Sequence, residues 1–286
     1  MKLSEKRGGN RKGGAFDDSA VITGAGSGLG RALALEWARR GWRIGVLDYN
    51  ESGARETLDM VRAAGGEGEV RVCNVRRAED VQATADHFFA SWGTVGVVVN
   101  NAGVVDVGHV GDVRLENWQR IIETNLCGVI YGCHSFIPPM KAQGGGHIVN
   151  TASAAGWCNV PEMGPYNVVK AGVISLSETL RAELKPNHIG VTVICPSFFK
   201  SNLAQTMTCS DESTREQALQ FLLEARSTAE GVAARVVEAV DENKLYVVPQ
   251  LEARVSRLFK RLAPTLSTNL MGSAYARQER RDAGKR

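Results

Sequence analysis

The sequence predicts an α/β protein built on one parallel sheet of about seven strands, with helices on both faces of the sheet. Short runs rich in β-branched residues alternate with longer segments of helical pattern from residue 17 to residue 250. Most of the short runs are apolar without alternation, as expected of strands buried on both faces. Hydrophobic residues make up 43% of the 286 residues and charged residues 23%, which excludes disorder for most of the chain.

Seven short runs are predicted to be strands because they are rich in β-branched residues. In chain order they are SAVIT from Ser19, RIGVL from Arg43, EVRVC from Glu69, VGVVV from Val95, HIVNT from His147, GVTVI from Gly190 and LYVV from Leu245. Six longer segments between them are predicted to be helices: Gly28–Arg40, Glu51–Ala64, Ala78–Trp92, Glu116–Ile137, Pro165–Leu184 and Thr228–Val240.

Two segments depart from this alternation. Ser197–Arg226 is a long connection between the sixth and seventh strands, and it is interpreted either as a lid or binding loop or as a plain excursion.

Leu251–Leu262 has apolar residues at i, i+4, i+7, i+8 and i+11, with basic residues largely on the other side. It is predicted to be an amphipathic helix with a basic outer face. Its apolar stripe is expected to pack on the body of the protein or on a second subunit. Peripheral contact with a membrane is the less favoured alternative.

The chain is expected to divide into a basic N-terminal tail (1–16), a single domain (17–250), and a C-terminal amphipathic helix with a basic tail (251–286). Both tails are expected to be solvated, since Met1–Gly14 and Arg277–Arg286 each hold five Lys/Arg.

The net charge of +3 is too small to indicate nucleic-acid binding. The start lacks an apolar signal region, and no stretch approaches 18 apolar residues, so neither secretion nor a membrane span is expected. The six cysteines form no CxxC pair; no metal site is predicted, and a reducing cytoplasm is expected.

A glycine-rich loop follows the first predicted strand. It reads TGAGSGLG from Thr23 to Gly30 and runs directly into a helical segment. Glycines let the chain turn sharply and bring its N–H groups close to a pyrophosphate, and the N-terminus of the following helix adds a favourable dipole. No Gly-Lys-Ser/Thr follows, which excludes a P-loop. The loop is therefore interpreted as a dinucleotide site.

Asp48 ends the second predicted strand, where a carboxylate can accept hydrogen bonds from the hydroxyls of an adenosine ribose. A 2′-phosphate at that point would meet a like charge, and the next residue is Tyr49 rather than a cation. We therefore expect NAD rather than NADP. The ordinary alternative is a glycine-rich turn followed by a surface carboxylate.

Four polar residues form a candidate reactive group. Tyr166 and Lys170 are spaced i, i+4 on a predicted helix and share a face. A nearby ammonium is expected to lower the pKa of the phenol, so that it can exchange a proton with a substrate hydroxyl. Ser153 follows the fifth strand, and Asn125 lies inside a helical pattern where Asn is a poor helix former. Taken singly, each has an ordinary explanation: a chance pair, a turn serine and a surface asparagine.

Together these motifs resemble those of the short-chain dehydrogenase/reductase family. The chain matches TGxxxGxG at Thr23–Gly30, NNAG at Asn100–Gly103 and YxxxK at Tyr166–Lys170, with Ser153 and Asn125 in the expected order. The resemblance covers roughly residues 17–250. It implies a Rossmann-type doubly wound parallel sheet, a nicotinamide cofactor and a catalytic tetrad of Asn125, Ser153, Tyr166 and Lys170.

The resemblance also implies a role for each of these residues. Tyr166 would be the acid and base, Lys170 would hold the nicotinamide ribose and tune Tyr166, Ser153 would polarise the substrate oxygen, and Asn125 would anchor a water of a proton relay. The predicted cofactor contacts are Gly24, Ser27, Gly28, Leu29, Gly30, Asp48, Asn74, Val75, Asn101, Ala102, Gly103, Tyr166, Lys170, Pro196 and Ser201.

Three positions depart from the family pattern. Pro196-Ser197 stands where the family has Pro-Gly, Ser201 where a Thr often contacts the carboxamide, and Asn74-Val75 where Asp-Val is usual. Asn74 can still both donate and accept hydrogen bonds. These changes affect the expected loop geometry, not the expected chemistry.

The sequence therefore predicts an oxidoreductase that moves a hydride between NAD and an alcohol/carbonyl pair. A catalytically silent NAD-binding regulator on the same fold is the alternative, since fold alone does not decide function. A medium-to-large apolar secondary alcohol or ketone is the expected substrate, because apolar residues occupy two loops near the tetrad: Trp157, Val160, Pro161, Met163, Phe198 and Phe199. These residues could instead pack in the core or at a contact between subunits. A homo-oligomer, either dimer or tetramer, is expected.

Overall fold

The computed structural model describes residues 17–200, 207–209, 225 and 227–283. Seven strands form one parallel sheet in the spatial order β3-β2-β1-β4-β6-β7-β9. Two short strands, β5 and β8, pair in parallel beside it. The strands are β1 (Ser19–Thr23), β2 (Arg43–Asp48), β3 (Glu67–Val72), β4 (Val97–Asn100), β5 (Asp106–Val107), β6 (Gly146–Thr151), β7 (Ile189–Ile194), β8 (Thr208–Cys209) and β9 (Tyr246–Val247).

Helices connect most of these strands. They are α1 (Gly28–Ala38), α2 (Glu51–Ala63), α3 (Ala78–Trp92), α4 (Leu115–Ile122), α5 (Gly128–Ala142), α6 (Ala155–Cys158), α7 (Gly164–Glu183), α8 (Ala229–Asp241), α9 (Leu251–Leu262) and α10 (Pro264–Ala283). A π-helical turn, Glu123–Cys127, separates α4 from α5, and a short 3-10 turn, Lys185–Asn187, follows α7.

The core lies in two layers, one on each face of the sheet. On one face, Leu33 and Trp37 of α1 pack with Val236 of α8 against the strands. On the other face, Phe88 of α3 and Phe136 of α5 join a separate cluster together with residues of α7. Because both faces are covered, the central strands have no solvated side, which explains their unbroken apolar sequence.

The order of the strands reverses beside β1. The chain builds β2 and β3 on one side of β1 and then crosses over to place β4 on the other side. In open parallel sheets of this kind, ligands bind outside the carboxyl ends of the strands at the reversal point. The glycine-rich loop after β1 and the loop after β4 both lie at this edge.

The predicted sheet and helices on both faces are confirmed, with small shifts at the ends of elements. The largest difference is in the predicted helix Glu116–Ile137, which is α4, the π-helical turn and α5 in succession. The helix also continues through Pro138 and Pro139 to Ala142, although proline usually ends a helix. Burial of Phe136 and Met140 holds this last stretch of helix in place.

The C-terminal segment differs from the prediction in two ways. The predicted helix Leu251–Leu262 is present with the same bounds, but its apolar stripe is exposed instead of packed on the body of the protein, and of its basic residues Arg254 and Arg261 are exposed as well. Beyond it, α10 is a 20-residue helix where a solvated basic tail was expected. Within the described residues, no helix is long and apolar enough to cross a membrane, and no group of three or more His, Cys, Asp or Glu has the placement of a metal site.

Candidate active site

The glycine-rich loop leaves the N-terminus of α1 open. Gly24 and Gly28 have φ angles of 64° and 54°, a backbone conformation that favours glycine. The N-cap residue, Ser27, is exposed and forms no side-chain cap, so the first N–H groups of the helix have no side-chain partner there. A Cβ at Gly24 would come within 2.8 Å of the Cα of Ala102, and one at Gly30 would overlap the carbonyl of Gly24. Such an opening suits a pyrophosphate.

Asp48 lies at the carboxyl end of β2, beside this loop. Its two oxygens accept hydrogen bonds from the N–H groups of Gly26, at 2.9 Å, and Asn50, at 2.9 Å. A Cβ at Gly26 would lie 2.8 Å from the carboxylate. The carboxylate is therefore fixed in position at the edge of the glycine-rich loop, where the ribose of a dinucleotide would lie.

Arg31 of α1 also borders this edge, and sequence spacing alone did not single it out. Its guanidinium donates to the carbonyl of Gly26 at 2.6 Å and forms a pair of hydrogen bonds with the carboxylate of Glu56, at 3.1 and 2.8 Å. This cation, which is bonded to the same glycine that Asp48 holds, is thus already paired with a carboxylate.

The NNAG segment braces the glycine-rich loop. The hydroxyl of Thr23 accepts hydrogen bonds from the N–H groups of Asn101, at 2.9 Å, and Ala102, at 3.1 Å. The side-chain amide of Asn101 in turn donates to the carbonyl of Thr23 at 3.0 Å. Gly103 lies next, where a Cβ would be 3.4 Å from Oδ1 of Asn125. The segment after β4 therefore holds the loop after β1 in shape.

The Asn74-Val75 pair lies beyond the end of β3. Asn74 caps its own turn by accepting from the N–H of Arg76 at 3.1 Å, and its own N–H donates to Asp80 at 3.4 Å. Val75 packs against Gly128 at the start of α5, where a Cβ would be 3.1 Å away. Contact of Asn74 and Val75 with an adenine stays a prediction.

Tyr166 and Ser153 meet at the carboxyl end of β6. The hydroxyl of Ser153 lies beside the Tyr166 phenol, close enough to favour the ionised form of the phenol. It is also held by the carbonyl of Pro196, at 3.3 Å, and the N–H of Ala155, at 3.2 Å. The two hydroxyls, on α7 and on the loop before α6, therefore lie side by side, where a substrate oxygen can contact both.

Lys170 lies one turn further along α7. Only 3% of its surface is exposed, and its ammonium donates to the carbonyl of Thr151 at 2.7 Å. Its Nζ lies 5.4 Å from the centre of the Tyr166 ring. A buried cation of this kind is favoured when a ligand supplies further acceptors, as ribose hydroxyls would.

Burial governs the ionisation of this pair. It raises the pKa of Tyr166 to about 12, although the hydrogen bond from Ser153 acts in the opposite direction. Burial also lowers the pKa of Lys170 to about 8. The expected lowering of the phenol pKa by the ammonium is therefore not found in this structure, because burial disfavours the charged phenolate and is the larger cause.

Asn125 occupies the π-helical turn between α4 and α5 and is fully buried. Its side-chain amide accepts from the N–H of Val104 at 2.8 Å and donates to the carbonyl of Val104 at 2.8 Å. The side chain thus fixes the loop that follows the NNAG segment. π-helical turns of this kind are frequent at functional sites. The expected anchoring of a water stays a prediction.

The loop after β7 shows how the chain accommodates the Pro196-Ser197 departure. The N–H of Ser197 donates to Oε1 of Gln250 at 3.0 Å, and its hydroxyl to Glu252 at 2.9 Å. The carbonyl of Pro196 receives both Ser153 and the N–H of Ala154. Ser201 lies outside the described residues.

An apolar wall stands beside the Tyr166 ring. Val105, Val107 and Met207 form a buried cluster against which Met163 and Tyr166 pack. Of the residues expected in such a pocket, Met163 lies there, whereas Trp157 and Phe199 pack against the two core layers instead. Val105 and Val107 were missed because β5, Asp106–Val107, is too short to be recognised as a strand.

The C-terminal helix contacts the loop that precedes Tyr166, which sequence reasoning also missed. The hydroxyl of Tyr275 on α10 donates to Oε1 of Glu162 at 2.7 Å, and its ring stands edge-on to His109 at 6.2 Å between centres. The carbonyl of Glu162 accepts from the N–H of Gly108 at 2.6 Å, and Met163 pairs with Gly108. Three segments far apart in sequence therefore meet beside the apolar wall.

Comparison with known proteins agrees with this site. A family model described as short chain dehydrogenase matches residues 18–212. The Mycobacterium tuberculosis protein SadH, whose name describes it as an oxidoreductase, is 34% identical over 262 residues, covering 90% of this chain and 92% of that protein. A cyclohexanol dehydrogenase from an Acinetobacter strain is 34% identical over 64% of this chain and 74% of its own length. EphD of Mycobacterium bovis is 37% identical over 208 residues, but this chain spans only 35% of its length.

Solved structures show the same likeness. A short-chain dehydrogenase/reductase from Burkholderia phymatum in complex with NAD superposes with a TM-score of 0.80 and 33% identity, covering 86% of this chain and 95% of that one. A short-chain dehydrogenase from Sphingobium yanoikuyae in complex with NADPH has a TM-score of 0.74 at 23% identity, a likeness of fold alone. The matched family model, the relative aligned over nine-tenths of the chain and the arrangement of the site together show that this chain belongs to the short-chain dehydrogenase/reductase family of oxidoreductases.

Proposed function

We propose that this protein is an NAD-dependent dehydrogenase/reductase that interconverts an apolar secondary alcohol and its ketone. The observation that carries the proposal is the Ser153–Tyr166 hydroxyl pair, with buried Lys170 one helical turn away and the open glycine-rich loop at the same edge of the sheet. This arrangement provides a proton donor and acceptor next to a dinucleotide cradle.

The residues of the site can donate or accept the proton that the reaction transfers, in either direction. With its pKa raised by burial, Tyr166 keeps its proton at neutral pH and can donate it to a carbonyl oxygen. Ser153 would hold that oxygen in line with the phenol. Lys170 would bind the ribose hydroxyls and return a proton to Tyr166. A bound nicotinamide dinucleotide would supply hydride-transfer chemistry, and its oxidised ring would add a positive charge that favours the phenolate.

Preference for NAD is supported by the charges at the end of β2. The fixed carboxylate of Asp48 would repel a 2′-phosphate, and the nearby Arg31 is neutralised by Glu56. NAD in the Burkholderia phymatum complex belongs to that protein and adds support by similarity at 33% identity.

The apolar substrate class rests on the wall of Val105, Val107, Met163 and Met207 beside Tyr166. Similarity alone would not choose it, since relatives include a cyclohexanol dehydrogenase and a Rhizobium meliloti protein named as a galactose dehydrogenase. A sugar needs hydrogen-bonding partners along its whole length, which an aliphatic wall does not offer.

The silent-regulator alternative gains no support from the site, because all four tetrad positions hold the family's residues and Ser153 lies beside Tyr166. A homo-oligomer and a cytoplasmic location stay predictions, to be checked by light scattering and by fractionation of cells.

A substrate panel with a matched variant tests the proposal. Purified protein is assayed for NAD reduction with cyclic and aliphatic secondary alcohols and with polyols, beside Tyr166→Phe. We expect turnover with apolar alcohols and a loss of about thirtyfold or more in the variant, equivalent to about 2 kcal/mol of transition-state stabilisation, with NAD binding retained. Preference for polyols would overturn the substrate class. Near-normal turnover by Tyr166→Phe would remove Tyr166 from its role, and absence of turnover across the panel would favour the silent regulator.

A further inference from the structure

The helix α9 packs on the protein with its polar face. Arg257 lies over the ring of Tyr246 at 3.5 Å, and Nε of Arg254 donates to the carbonyl of Val248 at 2.7 Å. The hydroxyl of Ser256 contacts Nε1 of Trp157 at 3.4 Å. Ala253, with 2% exposure, is the buried residue at the centre of this contact. Ala253, Ser256 and Arg257 thus form the inner surface of the helix, with exposed Arg254 at its edge.

The apolar stripe of α9 faces outward as a consequence. Leu251 and Leu262 are 72% and 74% exposed, and α10 adds two leucines that are each 53% exposed. We call these side chains the apolar ridge: Leu251, Val255, Leu258, Phe259, Leu262, Leu266 and Leu270. A helix facing water normally has the reverse arrangement, and a large exposed apolar patch marks an interaction surface.

The charge of the C-terminal segment indicates what kind of surface covers the apolar ridge. Residues 251–286 hold nine Lys/Arg against three acids, whereas residues 17–250 hold 20 Lys/Arg against 27 acids. Exposed Arg261 lies next to the ridge on α9, and Arg277, Arg280 and Arg281 follow on α10. Two copies meeting ridge to ridge would bring these cationic segments together, which is unfavourable. An anionic lipid surface, in contrast, complements both the charge and the apolar side chains.

We propose that α9 and α10 dock this protein on anionic phospholipid bilayers, with the apolar ridge inserted at the boundary between headgroups and acyl chains. The arginines beside it contact the phosphates. The negatively charged body stays in water. Because Tyr275 joins α10 to the loop that precedes Tyr166, docking places the bilayer near the apolar wall of the active site.

Co-sedimentation with vesicles tests this proposal without any dehydrogenase assay. The full chain is mixed with vesicles of phosphatidylcholine alone and with vesicles containing 30 mol% phosphatidylglycerol, each at low and high salt. We expect at least fivefold more bound protein on the anionic vesicles, decreasing with salt. Leu258→Glu/Leu262→Glu should lose at least fivefold of this binding. Leu115→Glu, at an equally exposed leucine on α4, should bind as the wild type does.

Light scattering on the same samples measures the oligomeric state, which shows whether a second copy covers the apolar ridge. Folding of the variants is checked by circular dichroism, and their oligomeric state should equal that of the wild type. Equal sedimentation of wild type and double variant, or none by the wild type, overturns the proposal. A double variant that becomes a smaller oligomer while the wild type ignores vesicles would show that a second copy covers the ridge.

Discussion

At the scale of single residues, the site is controlled by how each polar group is held. Asp48 is fixed by two backbone N–H groups, so its charge sits at a defined point beside the glycine-rich loop. Tyr166 is held by Ser153 and desolvated by its surroundings, so its proton is retained at neutral pH. Each of these two properties can be tested by substituting a single side chain.

The charge of Asp48 is predicted to set cofactor preference. Asp48→Asn keeps the shape and one of the two oxygens that accept hydrogen bonds, and it removes the like charge. We expect the ratio of kcat/KM for NAD to that for NADP to fall at least tenfold, about 1.4 kcal/mol. Adding Glu56→Gln, which frees Arg31, should lower the ratio further. A wild type that uses both cofactors equally well would contradict the assignment, and Glu51→Gln serves as a control on an exposed acid of the same helix.

The ionisation of Tyr166 is predicted to depend on the cofactor. Because burial raises its pKa to about 12, the phenol stays protonated from acid through neutral pH and ionises only in strong alkali. Ultraviolet difference spectra between wild type and Tyr166→Phe should show no phenolate from this residue below about pH 10 without cofactor. Saturating NAD should move the titration to lower pH, since its positive ring opposes desolvation. A phenolate signal near neutral pH in the cofactor-free protein would show the desolvation argument to be wrong.

At the scale of elements, close packing of α5 on β4 positions the NNAG segment. Gly132 of α5 faces the side chain of Asn100, which a Cβ there would overlap. Asn100 donates to Asn150 at 2.9 Å, and Asn150 donates to Ser177 on α7 at 3.1 Å. This buried chain of amides joins the strands that carry the cofactor loop to the helix that carries Tyr166. Small residues in helices therefore serve the site here rather than local helix stability.

Gly132→Ala is predicted to destabilise the protein by about 1–3 kcal/mol through overpacking. The melting temperature should fall by several degrees, since about 1 kcal/mol corresponds to about 2–4 °C for a chain of this size. NAD affinity should fall as well, because the NNAG segment must shift. Gly272→Ala in α10, where a Cβ meets nothing within 4 Å, is the matched control and should be neutral or slightly stabilising. Equal melting temperatures for the two variants would contradict the packing argument.

At the scale of the whole molecule, α10 contacts the loop that precedes Tyr166, more than a hundred residues earlier in the sequence. Tyr275 links α10 to Glu162, and through it to Gly108 and the apolar wall. The C-terminal segment therefore borders the proposed substrate side of the molecule, although the tetrad positions, the glycine-rich loop and the NNAG segment all lie before residue 200.

Tyr275→Phe is predicted to affect the substrate and not the cofactor. Loss of the hydrogen bond to Glu162 loosens the loop before Tyr166, so KM for an apolar alcohol should rise about threefold or more. The NAD dissociation constant and kcat should stay within about twofold. Ser273→Ala, which removes a hydroxyl bonded only to its own helix at Asn269, should leave KM unchanged. A fall in NAD affinity equal to the rise in KM would mean a general loss of structure instead.

The sequence by itself determined the sheet, the glycine-rich loop and the spacing of Ser153, Tyr166 and Lys170, because these depend on local periodicity and short motifs. Only the tertiary structure decided the outward direction of the α9 stripe, the apolar wall at Val105 and Val107, and the raised pKa of Tyr166. Periodicity shows that a helix has two faces but not which one meets the body. Desolvation likewise depends on neighbours that the chain brings together from distant positions.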